Sequence, residues 1–238
     1  MARPRTIAFD FGETLAYYEG AGLNWAEHYD SALTQVATRC GQHLTSSQLQ
    51  DAKHVLARYN TRLAPREYEV PSTTVFAEIL ATWQLESIEL IDTAIDAFFG
   101  YFRRSLRVYP DTLPALENLR RHGHSLGVLT DVPYGMPKRF IEEDLARAGL
   151  LQLFDYVLTS TEAGRRKPHP DGLLQLAAHF RAACDEVVYV GNEPKDMEAA
   201  RQAGMLPIFV DREGTSSLSN GLRTVRSLGE LAQVLGVQ

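Results

Sequence analysis

Four short phrases, far apart along the chain, carry residue types that can do chemistry together. The first is Phe9-Asp10-Phe11-Gly12-Glu13-Thr14-Leu15. Thr6 to Phe9 read as a short buried strand that ends at one carboxylate, Asp10, and then turns tightly toward the hydroxyl of Thr14. In an open α/β sheet, the carboxyl end of a strand is where ligands and catalytic groups collect. An Asp placed there serves as a covalent nucleophile when it is held ionised, aimed and charge-compensated. The blander alternative is an Asp that caps the next turn.

The second phrase, Val128-Leu129-Thr130-Asp131, is a strand ending in a hydroxyl. Thr130 can donate a hydrogen bond to a phosphoryl oxygen or merely satisfy a turn. The third is Gly164-Arg165-Arg166-Lys167-Pro168-His169-Pro170. Pro168 restricts Lys167 to an extended backbone, and Pro170 can open a helix. Lys167 therefore reads as a fixed point charge for a phosphate or for the nucleophilic carboxylate. Arg165 and Arg166 read as solvent-facing. The fourth phrase, Val190-Gly191-Asn192-Glu193-Pro194-Lys195-Asp196, runs from a strand into a helix. Glu193 and Asp196 can cap that helix. With Asn192 they also offer the hard oxygen atoms that Mg²⁺ prefers.

These phrases need a scaffold that brings strand ends together, and the C-terminal half supplies one. Apolar strands at Leu126 to Leu129, Tyr156 to Leu158, Val187 to Val190 and Leu206 to Val210 alternate with helical stretches. The helices run from Met136 to Ala148, Pro170 to Arg181 and Pro194 to Ala203, and a closing one from Ser227 through Leu235. Such alternation predicts a doubly wound parallel sheet, an α/β Rossmann-like core. Residues 17–106 carry helical periods instead, such as Trp25, Tyr29, Leu33 and Val36, then Leu49, Ala52, Val55 and Leu56. A stretch that long is too much for a single crossover. The expectation is a helical cap domain over 17–106, inserted into a core made of 1–16 and 107–238.

Composition narrows the function classes. Lys plus Arg number 24 against 30 Asp plus Glu, a net charge of −6, so no basic footprint for nucleic acid exists. Two cysteines, Cys40 and Cys184, lack the spacing of a zinc site or a disulfide framework. The first strand begins within about six residues, which leaves no room for a signal peptide, and no apolar run of ~18 residues spans a bilayer. A cytoplasmic chain without membrane or nucleic-acid partners is expected. Oligomeric state is not legible.

Taken in order, the four phrases resemble the motifs of the haloacid dehalogenase superfamily of hydrolases. The continuation Met197-Glu198-Ala199-Ala200-Arg201-Gln202-Ala203-Gly204-Met205 is similar to that family's helix after its metal loop. The position of the insertion matches the subgroup with a helical cap between the first and second motifs. The resemblance implies a Mg²⁺-dependent phosphatase acting on a small phosphorylated metabolite. It implies Asp10 as nucleophile forming an aspartyl-phosphate, with Thr130, Asp131 and Lys167 around the phosphoryl group. It implies a metal held by Asp10, the Gly12 carbonyl and one or more of Asn192, Glu193 and Asp196.

Two positions depart from the family pattern. Gly12 stands where phosphatases of the family carry an Asp that protonates the leaving group, and Asn192 stands where an Asp is usual. A lost acid/base group typically costs a factor of ~10²–10⁴ in rate. Glu13 or Asp131 can replace it, the leaving group can need little protonation, or the chain is a catalytically silent phosphate-ligand binder. Phosphonatase and dehalogenase readings also exist among relatives lacking that Asp. The phosphonatase route needs a cap lysine, and Lys53 is the only one there.

Overall fold

Six parallel strands form one sheet, and the chemistry-bearing phrases all leave it at the same edge. The computed structural model describes residues 6–85, 87–214 and 221–236. The first five residues, on which the expectation about a signal peptide rests, lie outside the described residues. Strand β1 (Thr6–Phe9) is fully buried, as its unbroken apolar run requires. A short ribbon strand, β2 (Ala16–Tyr18), follows and leads into four helices: α1 (Tyr29–Arg39), α2 (Ser46–Tyr59), α3 (Ser72–Thr82) and α4 (Ile88–Arg103). Strand β3 (Leu106–Val108) returns the chain and pairs antiparallel with β2, Tyr17 opposite Arg107. The helical segment is thus zipped shut at its base. The boundary expected near residues 16/17 and 106/107 falls inside this ribbon, which short alternating segments did not announce.

The remaining elements alternate as expected. Helix α5 (Thr112–Arg121) precedes β4 (Ser125–Thr130), and α6 (Lys138–Arg147) precedes β5 (Tyr156–Thr159). The short α7 (Ser160–Ala163) and α8 (Asp171–Phe180) lead to β6 (Val187–Gly191), α9 (Pro194–Gln202) and β7 (Leu206–Val210). A further short strand, β8 (Arg223–Val225), precedes α10 (Leu231–Val234). The closing helix expected from Ser227 is split, with Ser227 capping a single 3₁₀ turn before α10. Strand order is β5-β4-β1-β6-β7-β8. From central β1 the strands continue to β4 on one side and β6 on the other, the arrangement that opens a ligand crevice at the carboxyl edge.

Alternation along β1 distributes the core. Ile7 and Phe9 join one apolar cluster together with Val128, Val190, α5, α6 and the buried faces of α1 to α4. Ala8 joins the other, with Leu129, Tyr189, α8 and α9. The inserted helices therefore share one continuous apolar cluster with a face of the sheet. In register, Phe9 lies opposite both Val128 and Val190. The ends of β1, β4 and β6 are consequently level, and Asp10 N donates to the Val190 carbonyl at 2.9 Å.

Candidate active site

Asp10 emerges from β1 into a buried ionic cluster. Lys167, on the stiff loop after α7, reaches under it with its ammonium 2.8 Å from Asp10 Oδ1 and 2.7 Å from Asp196 Oδ1. It donates to Asp10 and to the hydroxyl of Tyr189 at 2.9 Å, and that hydroxyl donates onward to the Leu129 carbonyl at 2.7 Å. An ammonium has three donors; two are hydrogen-bonded here, and Asp196 Oδ1, although ion-paired with it, is left without a hydrogen-bond partner. The other oxygen of Asp196 accepts the backbone N–H groups of Asn192 at 3.1 Å and Glu193 at 2.9 Å, so the carboxylate also caps α9. Gly191 is required by this approach: a Cβ there would stand 2.5 Å from Asp196 Oδ2.

Burial pushes the Asp10 carboxyl up to about 6, against the attraction of Lys167 and with the help of repulsion from Asp196. Two carboxylates share one ammonium, so one of them is under-compensated. Lys167 is in the opposite situation. Burial disfavours its charge, yet Asp10 and Asp196 together hold it well above the ordinary lysine range.

A second ring of ion pairs surrounds the first. Asp131 accepts the Lys167 backbone N–H at 3.1 Å and faces the Lys195 ammonium at 2.9 Å and Arg166 at 3.8 Å. Burial alone would raise its carboxyl, but Lys167, Lys195 and Arg166 outweigh it and hold the group near 2. Glu193 receives both guanidinium nitrogens of Arg62, from the inserted segment, at 2.5 and 2.8 Å, and Lys195 at 3.2 Å. Its burial is likewise overcome, and its carboxyl sits at about 2.

Above these pairs opens a cleft of about 770 Å³, counted to its open mouth, between the strand ends and the inserted segment. Asp10, Gly12, Glu13, Thr130 and Asp131 line it, together with Arg62, Arg166, Glu193 and Lys195. Thr130 is 4% exposed, and its hydroxyl makes a long 3.5 Å contact to the Asp131 carbonyl, leaving it able to turn to an anion. Glu13 adopts a left-handed backbone, φ 57°, uncommon for a residue with a side chain. Its carboxylate accepts the Tyr109 hydroxyl at 2.6 Å. Gly12 has an ordinary backbone, and a Cβ added to it would meet nothing within 4 Å. Neither space nor backbone angle forbids an Asp at position 12.

The donor set for a hard cation is limited. Among the described residues no three His, Cys, Asp or Glu side chains gather as a metal cluster. The oxygens on offer are the Asp10 carboxylate, the Gly12 carbonyl and the Asn192 amide oxygen, which already accepts the Thr14 hydroxyl at 3.0 Å. Mg²⁺ commonly takes one or two protein carboxylates and fills the rest of its shell with water and phosphate. That chemistry fits this set, at reduced charge. Glu193 is paired with Arg62 and Lys195, and Asp196 with Lys167 and the start of α9, although Asp196 Oδ1 accepts no hydrogen bond.

Asp10, Thr130, Asp131, Lys167, Asn192, Glu193 and Asp196 thus come together at one sheet edge. Arg166 does not face solvent as its sequence context suggested. It is 5% exposed, donates to the Val132 carbonyl at 2.7 Å and pairs with Glu69, because the loop after α2 folds down onto it. Lys53 lies outside the cleft and pairs with Asp30 at 2.6 Å, as a helix-surface lysine does. Tyr189, Lys195 and Arg62 were missed. A tyrosine in the aliphatic run of β6 was a signal, since a buried hydroxyl needs a partner. Arg62 had none, its partner lying 131 residues away.

Comparison with known proteins agrees with this geometry. Residues 4–204 match the family described as haloacid dehalogenase-like hydrolase, and the chain belongs to that family of hydrolases. It is 26% identical over 210 residues to a glyceraldehyde 3-phosphate phosphatase of Methanopyrus kandleri, covering 87% of this chain and 84% of the relative. Its fold is similar to an HAD phosphatase from Thermococcus onnurineus, with TM-score 0.67, 23% identity and coverage of 98% and 99% of the two chains. It is equally similar to a 2-haloacid dehalogenase from Pseudomonas syringae, with TM-score 0.69, 23% identity and 98% of both chains covered. No helix among the described residues is long and apolar enough to cross a membrane.

Proposed function

We propose that this hydrolase is a phosphatase of small phosphorylated substrates, acting through an aspartyl-phosphate at Asp10, with residues 17–106 as its cap. The observation that carries the reading is the Asp10–Lys167–Asp196 cluster beneath an open cleft. A nucleophilic carboxylate is held by a buried ammonium that donates to it and pairs with Asp196, so Lys167 compensates charge and aims Asp10. The Thr130 hydroxyl and the backbone around Phe11 and Gly12 are left to meet the phosphoryl group. Asp131, held ionised by three cations, has no proton to give at neutral pH. The name of the Methanopyrus kandleri relative supports phosphate ester chemistry over dehalogenation.

Mg²⁺ held by Asp10, the Gly12 carbonyl and Asn192 would offset charge on the phosphoryl oxygens. Glu193 and Asp196 shape that loop through Arg62, Lys195 and the cap of α9. The test is a hydrolysis screen over phosphorylated metabolites with and without Mg²⁺, with Asp10→Asn as the blank. Phosphate release, and a phosphate adduct on Asp10 in quenched mass spectra, are expected. Turnover that survives exhaustive chelation would remove the metal from the reading, and turnover by Asp10→Asn would remove the nucleophile.

A further inference from the structure

Resting on the phosphatase reading, we propose that the substrate is an aryl phosphate monoester, a flat apolar group joined to phosphate through a good leaving oxygen. Two independent observations lead there. The first is the apolar share of the cleft lining, Phe11, Tyr17, Leu23, Trp25, Met136 and Ile141. Leu23 is 45% exposed in this setting, an apolar side chain held at the mouth of a cleft. Tyr18 also lines the cleft, but its hydroxyl is spent on Asp144 at 2.6 Å, so its ring is what remains for a ligand. The cations in the lining, Arg62, Lys195 and Arg166, are already matched by Glu193, Asp131 and Glu69. That leaves no unmatched positive charge for an acidic organic group. A flat apolar one would lie against the apolar lining and cover the exposed Leu23.

The second observation concerns the proton. Position 12 bears no carboxylate, Asp131 is held ionised, and Glu13 accepts a hydrogen bond from Tyr109. In the first step Asp10 bonds to phosphorus, the bond from phosphorus to the organic oxygen breaks, and that oxygen leaves with the electron pair. Water then attacks phosphorus, the bond to Asp10 breaks, and the carboxylate is regenerated. One proton of that water ends on phosphate and the other on the departed oxyanion. A phenol, ionising near pH ~10 as tyrosine does, tolerates departure as the anion. An alkanol does so far less readily.

Four probes separate the two contributions: phenyl phosphate, benzyl phosphate, acetyl phosphate and glycerol 3-phosphate, each assayed with Mg²⁺ present. The apolar lining predicts KM values for phenyl and benzyl phosphate about tenfold or more below those for acetyl and glycerol phosphate. The missing acid predicts kcat/KM for phenyl phosphate at least ~10-fold above benzyl phosphate, whose ring is the same. Leu23→Ser should raise KM for phenyl phosphate by several-fold and narrow its advantage over glycerol phosphate. Equal KM values across the panel, or equal kcat/KM for phenyl and benzyl phosphate, would overturn the inference while leaving the phosphatase reading intact. Hydrolysis of none of the four above the Asp10→Asn background would instead overturn both.

Discussion

Lys167 is the residue on which the site's electrostatics balance. Its side chain is 2% exposed and stands between two carboxylates that are themselves buried. Lys167→Met would leave Asp10 and Asp196 facing each other without a cation, a change that costs about 3–5 kcal/mol when a buried pair is broken. Both carboxyl groups would then be raised in the folded state. Such a group costs stability above its folded pKa, and the cost disappears below its unfolded pKa, ~4. Urea unfolding should therefore show the variant most destabilised near pH 8, with the gap closing as pH falls toward 4. A gap independent of pH would mean that lost packing, and not unpaired charge, is responsible. Gly12 supports a gain-of-function test. Because a Cβ fits there and the backbone is ordinary, Gly12→Asp should fold normally and place an acid beside the leaving group. Turnover of alkyl phosphates should rise toward the ~10²–10⁴ range of a general acid, and that of aryl phosphates much less. Equal gains for both classes would show that the new carboxylate acts on something other than the leaving oxygen.

At the scale of elements, the start of α9 joins core to insertion. Glu193, its N-cap residue, holds Arg62 from the loop after α2 in a two-pronged pair. The folded Glu193 carboxyl, lowered to about 2 from 4.5, contributes stability above its unfolded pKa and loses it as pH falls through the folded value. Glu193→Gln should consequently be less stable than the parent at pH 7, and the difference should shrink as pH is lowered from about 4.5 toward 2. Denaturant midpoints at several pH values read this directly, and a difference that grows on acidification would contradict the assignment. The same element shows what the sequence made legible. Gly191, Pro194 and Asp196 have local reasons for their positions, namely a close approach, a first helical turn and a cap, so the loop and its helix could be placed. Strands β1, β4, β6 and β7 could be placed from their apolar runs. The β2–β3 ribbon, the strand β8 and the Arg62–Glu193 pair could not. Each depends on a partner distant in sequence, and a three-residue strand carries too little pattern to name it. Arg166 was misplaced for the same reason, since its burial is imposed by a loop almost a hundred residues earlier.

For the whole molecule, the question is whether the inserted helices and the sheet behave as one body. The apolar cluster runs without a break from Phe9 and Val128 into α1, α3 and α4, and rings meet across the junction, Phe99 with Phe140 at 5.5 Å and Phe98 with Tyr134 at 5.5 Å. Within this junction lies Asp144 of α6, 0% exposed, which accepts the Tyr18 hydroxyl at 2.6 Å and pairs with Arg103 of α4 at 2.9 Å. Arg103 is itself 7% exposed, so a charge brought by the insertion is neutralised by a residue of the core. Such a link makes each part expensive to open while the other stays folded. Both tryptophans of the chain, Trp25 and Trp83, belong to the insertion, whereas amide circular dichroism reports on all helices and strands. The two signals should therefore lose structure at the same urea concentration. Asp144→Asn keeps the shape of the side chain but leaves the buried Arg103 guanidinium with only the half-exposed Glu143 as counter-charge, at a cost approaching the ~3–5 kcal/mol of a broken buried pair out of a total that rarely exceeds ~15. Its midpoint should fall markedly, and the fluorescence transition should move ahead of the dichroism transition as the insertion loosens first. Two separate transitions already in the parent would show that the insertion folds independently and that the buried pair does not couple it to the sheet.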